Sequence, residues 1–396
     1  MFTFPIFLLT ASVAIVGSNS LLLSPIAGAV ARSFPGTDAA DVLLASAAYG
    51  LSTAASALLL APLIDRIGGK RALLLALSLL TCALIITATA PTLWVLCAGQ
   101  ALAGIAAGVT LPAAYGLSAE LAPQGRESET LGIVLTGWTI SLVFGVSLSA
   151  LMTDLLHWRA AFGVIAFIAL MIVTSLYLTG RRDRLGESPG WGAAVRRDSA
   201  TSPLTALRVP GIIRALMVCA AFMTAFYGLY SYLGVHLQTV LGKSTSVSGL
   251  ATVAYGVGFG AAVVLDRFID RHGAARIAVF VFTAVAMTYG SMALAAKDFF
   301  SLVVMCFVWG GVNHLGLNLI VGRLTALDPT QRGAIMGLYS AVAYLCVFVG
   351  AIGFRPLYEL SGLSACALLA ALCILPAIID GMKRRRETGK ITANPA

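Results

Sequence analysis

Charge is scarce in this chain. Asp, Glu, Lys and Arg make up 11% of its 396 residues, against 59% hydrophobic residues. Soluble domains carry roughly 25% charged residues, so a water-facing surface for a chain of this length cannot be built from what is present. The seven cysteines all fall inside apolar runs, and none is spaced as a redox or metal pair. They read as small packing residues rather than a disulfide framework. The sequence also lacks a phosphate-binding loop, paired catalytic carboxylates and a His/Cys metal spacing. No enzyme, cofactor or metal is therefore expected.

What the chain has is long runs without charge. Twelve apolar runs lie near residues 6–30, 42–64, 71–90, 92–118, 130–153, 159–179, 211–234, 245–265, 274–295, 298–322, 333–357 and 362–381. Each approaches the roughly 20 residues that cross a bilayer as helix. Continuous Leu, Ala, Val and Ile without strict alternation selects helices over a closed barrel. The first run lacks a basic leader (Met1-Phe2-Thr3-Phe4-Pro5) and is read as a spanning helix, not a cleaved signal. The expected fold is an all-α membrane protein with twelve transmembrane helices in two pseudo-symmetric six-helix bundles. The expected boundaries are 1–180 for the first bundle, 181–210 for a linker, 211–382 for the second bundle and 383–396 for a tail. The linker holds Arg181-Arg182-Asp183-Arg184 and Pro189, Pro203 and Pro210, with a surface helix expected around Leu204–Arg208.

A repeat supports the two halves. Asp65-Arg66-Ile67-Gly68-Gly69-Lys70-Arg71 returns 205 residues later as Asp270-Arg271-His272-Gly273-Ala274-Ala275-Arg276. Ala119-Glu120-Leu121-Ala122-Pro123 with Arg126 is matched by Thr325-Ala326-Leu327-Asp328-Pro329 with Arg332, and Gly132 and Gly145 by Gly337 and Gly350. Internal repeats with a site between them are typical of transporters. Of the 26 basic residues, 21 fall on the side of the two termini and 5 on the other. The positive-inside rule then puts both termini in the cytoplasm. The net charge of +9 follows from that topology and from anionic lipid. Its dispersal over loops and tail argues against nucleic acid as a partner.

The loop over 61–71 resembles the signature Gly-x-x-x-Asp-Arg-x-Gly-Arg-Lys of the major facilitator superfamily. Ala61 stands in the first glycine's place, and Asp65, Arg66, Gly68, Lys70 and Arg71 supply the rest. Leu131-Gly132, Gly137-Trp138, Gly145 and Trp158-Arg159-Ala160-Ala161-Phe162 are similar to its bacterial efflux branch, the drug:proton antiporters and sugar-efflux permeases. That resemblance covers nearly the whole chain. It implies a secondary active transporter that exports small organic solutes by alternating access, with proton-coupled antiport as the drive and a bacterial inner (plasma) membrane as its place. A monomer is expected, with the bilayer, a small-molecule substrate and protons as partners. An uncoupled facilitator or importer of a small neutral metabolite is the alternative. A non-transporting membrane receptor is a remote one, because the tail from Lys383 is short.

Candidate residues follow. Asp65, Arg66, Gly68, Arg71, Asp270, Arg271, Gly273, Arg126 and Arg332 are the gating set. Asp65 at a helix end can pair with Arg71, or with the start of the eleventh helix near Gly333, in one access state only. Carboxylates are absent at mid-membrane depth: all 17 Asp and Glu fall in loops or at helix ends by these spans. The first helix carries Gly17-Ser18-Asn19-Ser20 where efflux relatives often have an acid. The fourth reads Gln100-Ala101-Leu102-Ala103-Gly104 where they have arginine, and the fifth lacks the antiporter proline after Gly145. His314 in the tenth helix is the preferred proton-coupling candidate, since imidazole ordinarily switches near neutral pH, and Asp41 is the second. Asn19, Gln100, Trp138, Tyr227, Tyr230, Tyr255, Asn313, His314 and Asn318 are expected to line a substrate cavity. Aromatic faces and uncharged polar tips suit a neutral or weakly charged amphipathic solute. Pro25 and Pro112 are expected to kink their helices, and Gly104 with Gly108 to allow close packing.

Overall fold

The computed structural model describes residues 3–60, 67–123, 127–184, 203–266, 269, 271, 273–328 and 331–393. Twelve helices are long and apolar enough to cross a membrane. In the first half they are α1 (Phe4–Ala31), α2 (Ala39–Leu59), α3 (Gly69–Ala88), α4 (Leu93–Glu120), α5 and α6 (Trp158–Arg184). Helix α5 runs from Glu127–Ile140 through a π-helical turn, Ser141–Val146, to Ser147–Leu155. In the second half they are α7 (Ile212–Thr239), α8 (Thr245–Ala261, closing in a 3-10 turn Ala262–Leu265), α9 (Ala274–Ala295), α10 (Phe299–Leu327), α11 (Arg332–Gly353) and α12 (Arg355–Cys373). A last helix, α13 (Leu375–Ala393), continues α12, so the segment expected to be a tail begins as helix. Within α12, Gly362 has φ +71 and separates a short first piece from the helix that spans, which is where the apolar run at 362 begins.

Helices alternate in direction, so the starts of α1 and α7 share one face with the end of α12. This is called the near face, and the opposite one the far face. The halves echo each other at the expected loops. Gly68 precedes α3 with φ +86 and Gly273 precedes α9 with φ +84. These are left-handed-side conformations that a side chain disfavours. Two glycines 205 positions apart thus make the same turn, so the sequence repeat is a repeat of backbone geometry. Gly104 and Gly108 sit against α2 at Tyr49, Thr53 and Ala57, the close packing their spacing suggested.

Scarce polar residues gather at far-face helix starts, where four amide N–H groups lack helical partners. Asp38 and Asp41 form a capping box on α2: the Asp41 N–H donates to Asp38 at 2.7 Å and the Asp38 N–H to Asp41 at 3.0 Å. Thr92, Ser244 and Asp298 cap α4, α8 and α10 through Val95, Val247 and Ser301. The Ser301 amide holds the Asp298 carboxyl below its usual range. The loop expected to carry a surface helix contains one short turn, Pro203–Ala206; linker residues 185–202 lie outside the described residues.

Candidate functional site

The two halves meet chiefly along three helix pairs, α1–α7, α2–α11 and α5–α8, and the bonds that cross between them among the described residues gather toward the far face. Proline creates the first of these bonds. Pro25 lies inside α1 and has no N–H, so the carbonyl of Leu21, four residues back, loses its helical donor. The Tyr230 hydroxyl of α7 donates to that carbonyl at 3.1 Å. Ser24 returns a bond, donating to the Tyr230 carbonyl at 2.6 Å and the Ser231 carbonyl at 3.1 Å. Gln238 donates to the Pro25 carbonyl. Gly234 permits this approach, because a side chain there would strike the Ser24 and Pro25 backbone. At the α5–α8 pair, Asp154 accepts from the Ser246 N–H at 2.6 Å, so a carboxylate of one half caps a helix of the other. At the α2–α11 end, Arg355 reaches Asp41 at 2.8 Å and Asp38 at 3.8 Å across the halves, while its Nε holds Glu359 of its own half at 2.6 Å.

Below this seal the centre is phenolic. Tyr344 of α11 packs edge-on against Tyr49 of α2 with ring centres 6.0 Å apart. It also lies within electrostatic reach of Tyr115, Tyr227 and Tyr339. Trp138 joins from α5, its indole N–H donating to the Tyr115 hydroxyl at 3.1 Å. The Ser20 hydroxyl lies near Tyr227 and the Tyr344 hydroxyl near Tyr49; both are buried and neither has a hydrogen bond of good geometry among the described residues. A second aromatic group lies within the second half. Phe226 stacks on Tyr230 at 5.4 Å and contacts Tyr255 at 5.6 Å and Trp309 at 5.4 Å. Asn313 donates to the Tyr255 hydroxyl at 3.1 Å.

Toward the near face these rings lead to a titratable pair. Phe259 follows Tyr255 on α8 and meets the His314 ring edge-on at 4.9 Å. His314 Nε2 lies 3.1 Å from both carboxylate oxygens of Asp266, which ends α8. Glycines bring the pair together: Gly258 and Gly310 let the α8 and α10 backbones touch. The other ring nitrogen, Nδ1, is buried without a hydrogen-bond partner among the described residues.

The expected site residues therefore divide. Trp138, Tyr227, Tyr230, Tyr255, Asn313 and His314 belong to this connected centre. Asn19 and Gln100 pair with each other. They bond each other reciprocally at 3.1 and 3.2 Å, with Gln100 also reaching Thr87 at 3.4 Å. Each amide thereby satisfies the other in a buried place, tying α1 to α3 and α4. Asn318 is half-buried on α10, four residues beyond His314 toward the near face. Asp41, considered as a proton carrier, instead holds Arg355 at the far face. In the gating set, Gly68 and Gly273 make the matched turns, Arg71 and Arg271 are exposed, and Arg332 opens α11. Asp65, Arg66, Arg126 and Asp270 lie outside the described residues.

Sequence reasoning missed Tyr49, Tyr115, Tyr339, Tyr344, Arg355 and Asp266. Asp266 was passed over because the apolar run ends at Leu265. One signal could have found it: 205 residues earlier stands Ala61, the small-residue position of the loop signature, so an acid there breaks the repeat.

Comparison with known proteins agrees with this architecture. The chain is 28% identical over 391 residues to an uncharacterized MFS-type transporter, YwfA, of Bacillus subtilis, covering 98% of this chain and 94% of that one. It is 24% identical over 254 residues to a "Probable sugar efflux transporter" of Pasteurella multocida, covering 64% of this chain and 60% of that one. The crystal structure of the human organic anion transporter MFSD10 (TETRAN) superposes with a TM-score of 0.73 over 95% of this chain and 98% of that one, at 14% identity, which shows the shared fold. The description of the Major Facilitator Superfamily matches residues 6–351. With twelve apolar helices in two halves that repeat one loop geometry, the chain is a multi-pass membrane protein and belongs to the Major Facilitator Superfamily of transporters.

Proposed function

We propose that this protein exports small, neutral or weakly charged organic solutes across a bacterial inner membrane by alternating access, in exchange for protons. In this reading the near face, with both termini and most of the basic residues, is cytoplasmic. The observation that carries it is the His314–Asp266 pair. It lies on the near side of a far-face seal, at the end of an uncharged aromatic path. Protonation makes the pair an ion pair and deprotonation loosens it, so the α8–α10 contact changes strength with proton occupancy. The phenols, indole and amide of the centre can grip a solute by ring faces and single hydrogen bonds without needing its charge. Export, rather than uptake, is supported by the efflux branch that the sequence resembles and by the name of the Pasteurella relative.

A second reading, an uncoupled facilitator, is favoured by one observation. Asn19 and Gln100, which stand where efflux relatives carry charge, form a neutral amide pair. Purified protein in liposomes separates the two readings. A metabolite and drug panel is first screened by counterflow without a pH gradient, then re-measured with one imposed. Coupled export predicts that the gradient accelerates flux in the wild type. It also predicts that His314→Ala and Asp266→Asn abolish the acceleration while retaining counterflow. Gradient-driven flux undiminished in both variants removes the pair from the mechanism, and flux indifferent to the gradient in the wild type establishes the facilitator.

A further inference from the structure

Among the described residues a π-helical turn occurs once, in α5. Its six residues, Ser141–Val146, lie between Trp138, whose indole N–H holds the Tyr115 hydroxyl in the centre, and Asp154, whose carboxylate caps α8 at the far face. The repeat does not impose it, since the matching stretch of α11, 346–351, runs inside an unbroken α-helix, Arg332–Gly353. Such turns are rare, and a helix left to itself winds as α. Neighbours on two sides hold this one wide. From the same half, α1 fits it without spare room: a side chain at Gly17 would strike the Ser141 hydroxyl, and one at Gly145 the Ser18 hydroxyl. From the other half, α8 lays Gly256 against Leu142 and Val143. The Ser147 hydroxyl donates at 3.4 Å to the Leu142 carbonyl, five residues back, where a serine on an α-helix reaches the fourth.

We infer that the wide turn of α5 is a register switch. It narrows to α-helix when the far face opens, and the narrowing turns Ser147–Leu155 about 100° relative to the Trp138 part, the angle that one residue of an α-helix subtends. The switch rests on alternating access as the transport cycle and supplies a moving part for it. Parting of the halves takes Gly256 off Leu142 and Val143, which removes one of the two neighbours that hold the turn wide. Without α8 the turn relaxes to the ordinary winding. The rotation carries Asp154 away from the start of α8, so the cap on the Ser246 N–H cannot re-form until the turn widens again. Trp138 precedes the turn and keeps its bond to Tyr115. The far seal thus changes while the centre's hold on a solute does not.

The test uses the full-length protein in lipid nanodiscs, with spin labels on keto-bearing non-natural residues that leave the seven cysteines untouched. One pair, at Leu135 and Leu148, both exposed on α5 to either side of the turn, reads the winding of that helix alone. A second pair, at Arg32 and Lys297 on far-face loops of different halves, reads the opening. Arg355→Gln frees the far-face clasp and should populate the opened state. The expected result is a second α5 distance in Arg355→Gln that grows with the open population. Phe144 faces outward, 66% exposed, and its deletion removes the spare residue: α5 then winds as α with Trp138 and Asp154 left where they are, and has no second register. Added to Arg355→Gln, the deletion should give one α5 distance and loss of the open population. Should the deletion unfold the protein, Ser147→Ala takes its place and should raise the second-distance population roughly twofold, as the loss of one weak hydrogen bond does. One α5 distance while the far-face labels part overturns the switch and leaves alternating access standing. Far-face labels that never part refute alternating access, and the switch with it. Two α5 distances in the deletion, or an unchanged second distance in Ser147→Ala where it stands in, also overturn the switch.

Discussion

Removing the Arg355 guanidinium should release the far face by a calculable amount. Of its three carboxylate partners, Glu359 belongs to the same half and sits four residues along the same helix. That contact is the same whether the halves are together or apart at this end. Only Asp41 at 2.8 Å and Asp38 at 3.8 Å cross between halves. Arg355 and Asp41 are 27% and 28% exposed, so solvent screens the pair and each crossing contact contributes about 0.2–1 kcal/mol. The longer Asp38 contact belongs at the low end. The clasp is therefore worth about 1 kcal/mol, and Arg355→Gln should raise the far-open population roughly fivefold. Asp41→Asn should produce most of the same change, and the double variant little more than Arg355→Gln alone, because the two residues share one interaction. Spin labels at positions 32 and 297, exposed on far-face loops of different halves, report the opening as a longer distance by pulsed dipolar spectroscopy. High salt should move the wild type in the same direction. A long-distance population in Arg355→Gln equal to that of the wild type, or strictly additive single variants, would refute the reasoning.

Two further predictions come from the packing. Tyr230→Phe leaves the Leu21 carbonyl without a donor and should lower stability by about 1 kcal/mol. In a Pro25→Ala background, where residue 25 regains an N–H, the same change should cost markedly less in a thermal unfolding assay. Asn19→Ala or Gln100→Ala strands a buried amide and should each cost about 1–3 kcal/mol. Asn19→Leu/Gln100→Leu should cost less than either, and a large loss of solute affinity with unchanged Tm would instead restore these residues to the cavity.

The sequence made the fold legible because the bilayer leaves few options: runs of about 20 apolar residues have to be helices. It showed the half-repeat too, since the twin turns at Gly68 and Gly273 require glycine whatever surrounds them. The site was half legible. His314 was conspicuous as a titratable group in an apolar run. Its partner was not, because Asp266 sits one residue past the end of a run and only the crossing of α8 and α10 shows where it points. Tyr49, Tyr115, Tyr339 and Tyr344 were equally hidden. Single tyrosines on separate helices carry no spacing signal, and their convergence depends on how the two halves face each other. The mutual bond of Asn19 and Gln100 was hidden for a related reason: a polar residue in a buried helix can face a cavity or a second polar residue, and spacing along one helix does not distinguish the two.

The missing N–H at Pro25 has a consequence for how the seam can open. While the halves are together, the Leu21 carbonyl is satisfied by Tyr230. Once they part, only water or a solute can replace that donor. A narrow gap, too tight for water, leaves the carbonyl stranded and is penalised. A wide gap hydrates it. Intermediate apertures are therefore the least stable, and the seam is driven to be either dry and bonded or open and wet, as a transporter that must not leak requires.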